Sequence, residues 1–140
     1  PVVLYGDGED GEISPQPHFA ETLPYLQLVQ YDLRDKMLEL ILGYYLEYRP
    51  DILQVCKDFD EDPDEVAPEA SSVEALKQMI GLNTVFIGHP IEGKRPYIGF
   101  EFGCCWDDEH GLGVMTQDDR VLLVGQADEA WPNSYSEPSA

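Results

Sequence analysis

The hydrophobic period of this chain changes near Gly81, and no other feature restricts its fold as much. Upstream, apolar residues recur at spacings of three and four, as on a helix buried along one side. Leu33, Met37, Leu40, Ile41, Tyr44 and Tyr48 place such a helix at residues 31–48. Leu38, Leu42, Tyr45 and Leu46 widen its apolar face beyond one stripe, so it should pack on two sides and lie at the centre of the fold. Tyr44, Tyr45 and Tyr48 are expected to cover a core edge, with hydroxyls reaching water. A shorter amphipathic stretch precedes this helix, carrying Phe19, Leu23, Leu26, Leu28 and Val29, and Pro24 should confine or bend it. Pro50 should interrupt the long helix, with 51–57 resuming after a bend. A second helix is expected at 73–80. Ser71 is its expected N-cap, because Glu74 three residues on completes a capping box. Gly81 is its expected stop.

After Leu82 the pattern alternates. Residues 84–88 are β-branched and aromatic, hence a strand. A loop follows at 89–95. In 96–102, Ile98, Phe100 and Phe102 share one face, with Tyr97, Gly99 and Glu101 on the other. Residues 112–117 and 120–125 form a hairpin around Asp118 and Asp119. At the start of the chain, 1–5 reads as a short strand and 6–11 as a flexible turn. The expected class is therefore α+β, with N-terminal helices packed on a C-terminal antiparallel sheet. The 140 residues suit a single α+β domain over 1–131. Residues 132–140, rich in Pro, Ser, Asn and Glu, should be a flexible tail that Trp131 docks.

Charge narrows the partners. Twenty-eight Asp and Glu stand against eight Lys and Arg, a formal net charge of −20. Such a surface repels phosphate backbones and anionic lipid, so neither direct nucleic-acid nor membrane binding is expected. It attracts basic proteins and speeds their encounter. Cys56, Cys104 and Cys105 have no framework spacing and read as reduced thiols. No stretch is long and apolar enough to span a membrane, and none reads as a signal peptide, so a cytoplasmic location is expected.

Local chemistry concentrates in one segment. From Phe102 to Val114 the chain leaves an apolar strand, crosses Cys104, Cys105, Trp106, Asp107, Asp108, Glu109 and His110, and re-enters a strand through Gly111 and Gly113. Consecutive ligand-type side chains in a turn rarely converge on one ion, and the His-Glu-x-x-His spacing of zinc proteases is absent. No metal or other cofactor is expected. Cysteines among carboxylates should have raised pKa values, against a nucleophilic role, and no catalytic residue is assigned. The structural expectation is that Trp106 packs beneath the turn, His110 hydrogen-bonds across it, and Gly111 and Gly113 supply backbone geometry closed to other residues.

The segment Tyr97-Ile98-Gly99-Phe100-Glu101-Phe102-Gly103-Cys104, followed by Trp106-Asp107-Asp108-Glu109-His110-Gly111-Leu112-Gly113-Val114, resembles an uncharacterised bacterial domain family of the DUF6985 type. The shared pattern is a W-D-x-E-H-G-x-G core between two strands. Arg120-Val121 and Gly125-Gln126-Ala127-Asp128 extend it. The resemblance implies a small bacterial cytosolic domain and no established reaction. Size and acidity add an analogy to immunity proteins of toxin–immunity systems. The functional expectation is a non-catalytic acidic module that occludes the active-site cleft of a basic secreted toxin, with nucleases as the leading case because their clefts are basic. Asp107, Asp108, Glu109, Asp118 and Asp119 are the expected partner-binding residues, with the acidic run at 58–65 as the competing surface. The alternative expectation is a metal- or thiol-dependent enzyme centred on Glu109, His110 and Cys104.

Overall fold

A computed structural model describes residues 4–5 and 19–137. It bears out the α+β class: a long helix lies against a sheet built from the second half of the chain. The expected turn at 6–11 lies outside the described residues.

Helix α1 spans Phe19–Asp58, about 60 Å at the ordinary helical rise. It runs through both Pro24 and Pro50. The expected interruption at Pro50 does not occur. A proline in a helix interior costs about 3 kcal/mol relative to alanine, so packing on both sides of Pro50 must offset it. On the N-terminal side Leu33, Met37, Ile41 and Tyr45, each four residues apart, are buried; on the C-terminal side Cys56 is buried. Two anchors hold the chain that returns past the helix: Arg49 Nε donates to Ala67 O at 3.1 Å, and Tyr45 Oη donates to Pro68 O at 2.6 Å. Tyr45 is therefore wholly buried, with a carbonyl rather than water as its partner.

Two single-turn helices follow, α2 at Pro63–Val66 and α3 at Val73–Leu76. The helix expected over 73–80 stops early, because residues 77–79 form a tighter turn that delivers Ile80 to strand pairing. Cys105 N donates to Met79 O at 3.0 Å, and Ile80 and Gly81 pair with Cys104 and Gly103. Gly81 is thus a strand residue and not a helix stop. The cap is also shifted by one residue: Ser72 Oγ accepts from Ala75 N at 3.2 Å.

The sheet has the order β1-β2-β3-β4-β5. Strands β2 (Ile80–Ile87), β3 (Ile98–Cys104), β4 (Leu112–Gln117) and β5 (Arg120–Gly125) form the antiparallel meander. The two-residue strand β1, Leu4–Tyr5, adds to β2 in parallel. Ile98, Phe100 and Phe102 point to the helix, and Phe100 and Phe102 pair with Val114 and Leu112. These residues join Leu33, Met37 and Ile41 in the main core.

The opposite face of the sheet is covered by the chain after β5. A 3-10 turn at Ala127–Ala130 lies against Gly99 and Gly113, and a second at Pro132–Ser134 continues it. A Cβ on Gly99 would sit 1.6 Å from Ala130 O, and one on Gly113 would sit 2.4 Å from Gln126 O. Gly113 is therefore set by this close approach and not by turn geometry. Ala130 and Pro132 do the docking; Trp131 between them is half exposed. Within the segment expected to be loose, Pro132 is buried, and the Tyr135 ring meets Tyr97 edge-on at 4.9 Å.

Candidate functional site

The turn between β3 and β4 is organised by Asp107. Its Oδ1 accepts from His110 N at 3.0 Å, and its carboxylate pairs with His110 Nδ1 at 3.1 Å. Its main-chain oxygen accepts from Gly111 N at 2.9 Å and from the Cys104 thiol at 3.4 Å. Gly111 takes φ +66, a conformation that disfavours side chains. His110 O accepts from Ala127 N at 3.0 Å, which ties the turn to the covering segment. Asp107 is thus spent within the turn, and His110 is exposed rather than enclosed.

Trp106 fastens the turn to the helix. Its ring lies 4.7 Å from that of Tyr45, and it packs against both the main core and the smaller cluster of Tyr45, Ala70 and Met79. The side chain remains partly exposed. The neighbouring thiols differ sharply. Cys104 is buried, and burial pushes its pKa up to about 11. Cys105 is exposed, with its thiol 3.5 Å from Val66 O, and partial burial still raises its pKa. No hydrogen bond links Cys104, Glu109 and His110 to one another among the described residues. Nor does any group of His, Cys, Asp and Glu among them converge as a metal site.

The acidic residues singled out in the sequence do not form one surface. Asp108 and Glu109 project from the β3–β4 turn, exposed and without a hydrogen bond or ion pair among the described residues. Asp118 and Asp119 sit at the other end of β4, roughly 20 Å away by strand rise. There they are matched by cations: Arg95 pairs with Asp118 at 3.0 Å, and Lys36 with Asp119 at 3.5 Å. Asp118 takes φ 55 in the hairpin turn. Lys94 and Arg120 line the same end.

The acidic run lies with Asp108 and Glu109 instead. Cys105 touches Val66, the last residue of α2, so the turn stands beside the chain that carries Asp58, Asp60, Glu61, Asp62, Asp64 and Glu65. All six are exposed. Lys57 adjoins them in sequence, and Arg49, bonded to Ala67 O just past α2, lies beside them in space. The molecule is therefore electrically polarised. One end carries mostly uncompensated carboxylates, while the hairpin end gathers Lys36, Lys94, Arg95 and Arg120, four of the chain's eight cations. Sequence spacing could not show this, because the two acidic segments lie about 40 residues apart and are brought together by the fold, as the Cys105–Val66 contact shows.

The profile of DUF6985, a domain of unknown function, matches residues 1–131, and the chain belongs to that family. No curated protein and no solved structure is a significant match to it. No helix among the described residues is long and apolar enough to cross a membrane.

Proposed function

We propose that this protein is a non-catalytic acidic binding module, an immunity protein that neutralises a basic bacterial toxin by covering its active-site cleft. The separation of charge carries this reading. Asp108 and Glu109 stand on a turn fixed by Trp106 and Asp107, next to the six carboxylates of the 58–65 run. A rigid display of carboxylates offers a basic cleft what phosphates would otherwise supply there. The hairpin end, internally paired, offers a basic surface little. The alternative, a thiol enzyme using Cys104, Glu109 and His110, would need a thiolate, and burial opposes one at Cys104.

The test is co-expression with the product of the adjacent reading frame, followed by a growth-rescue assay and pull-down. Rescue by the wild type and loss of rescue in Asp108→Lys/Glu109→Lys is expected. Failure to bind or protect against any neighbouring product, with no basic protein recovered, would overturn the proposal.

A further inference from the structure

A groove lies between the N-terminal half of α1 and strands β2 and β3. It encloses about 840 Å³, within the range of small-molecule sites. Leu23, Leu26 and Leu33 form its helical wall, and Leu82, Val85 and Phe100 its sheet wall. Along α1 it extends from Leu23 to Leu38, about 22 Å of helical rise. Leu82 is 46% exposed at its mouth, although it belongs to a strand.

The charge of the lining runs against that of the molecule. The chain has 28 carboxylates and eight cations, yet the described lining holds no Asp or Glu and includes Arg34 and Lys77. These two come from opposite walls, Arg34 from α1 and Lys77 from the turn before β2. Among the described residues, each is paired with a carboxylate along its own segment: Arg34 with Asp35 at 3.0 Å and Lys77 with Glu74 at 3.0 Å. Exposed pairs of that kind contribute little and exchange partners readily. Arg34 also lies 5.2 Å over the Tyr31 ring, which orients its guanidinium at the lip. Gln27 and Gln30 supply further polar groups on the helical side.

We propose that this groove binds a single-chain anionic amphiphile, a long-chain fatty acid in chemical class. The acyl chain lies between α1 and β2–β3, and the carboxylate reaches Arg34 and Lys77. The inference is independent of the protein-docking reading, because it uses neither the acidic run nor the β3–β4 turn.

The full chain is titrated by calorimetry with laurate, dodecylamine and dodecanol below their micelle concentrations. Non-specific adsorption to a surface of charge −20 would favour the cationic amine, so the order of affinities is diagnostic. Expected is saturable one-to-one binding of laurate, at least about 10-fold tighter than the amine, since charge-assisted contacts are the strong ones. Arg34→Glu/Lys77→Glu, both at exposed positions, should cancel or reverse that order with an unchanged melting temperature. Leu82→Trp, also at an exposed position, should weaken laurate and dodecanol alike by filling the mouth. Absence of saturable laurate binding, an amine bound as tightly, or an order unaffected by the double reversal would each overturn the proposal. So would sedimentation showing the groove closed by a second copy of the chain.

Discussion

Cys104, Cys105 and Trp106 are adjacent, yet the strand end turns each into a different environment. The Cys104 thiol is buried and protonated well past neutrality, since its pKa is pushed from 9.0 to about 11. A raised folded-state pKa favours the protonated form, so its stabilisation is complete below about pH 9. It is lost as pH rises from there through about 11. Denaturation midpoints measured across that interval should fall, and Cys104→Ala should flatten the decline. Alkylation at neutral pH should reach Cys105 quickly, with Cys56 and Cys104 following only in denaturant. Trp106→Ala removes the ring that joins both core clusters. Because the side chain is only partly covered, the loss should be about 2–3 kcal/mol, below the 3–5 expected for a fully buried aromatic. Urea unfolding measures it, and a loss under about 0.5 kcal/mol would mean the ring contributes no packing. The packing of this indole was legible from its place after an alternating strand. The role of Gly113 was not, because the backbone that crowds it arrives from residues 126–130 and leaves no mark in local spacing.

At the scale of elements, the same sequence contains glycines that are required and glycines that are not. Gly99→Ala should destabilise by about 2–3 kcal/mol or more, since its Cβ would meet Ala130 O at 1.6 Å and force the covering turn off the sheet. Gly43→Ala, in the middle of α1 with nothing within 4 Å of the added carbon, should stabilise by about 0.5–1 kcal/mol. Paired urea titrations of the two variants would show opposite shifts; matching shifts would mean the 3-10 turn does not hold the second face. The strands and the hairpin about Asp118 and Asp119 were legible because alternation and turn residues are local signals. The ends of the helices were not. Pro50 and Gly81 carry strong local preferences, and packing of Cys56 and pairing of Gly81 with Gly103 override them.

The whole molecule is a helix-on-sheet body with its charge sorted between two ends. Net acidity was plain in the composition, but its distribution depends on the fold, which matches Asp118 and Asp119 to cations and leaves Asp108 and Glu109 beside the 58–65 run. In the proposed function this acidic end meets the partner. The measurement is the association rate with whichever partner the co-expression test recovers, by stopped flow from about 50 mM to about 500 mM salt, where screening shortens charge interactions to a few ångströms. Two variants are compared, Asp108→Lys/Glu109→Lys and Asp118→Lys/Asp119→Lys, which alter the net charge equally. Expected are a rate that falls steeply with salt, a loss of about 10-fold or more at low salt in the first variant, and a change under about 2-fold in the second. Equal losses in both variants, or a rate indifferent to salt, would contradict that reading.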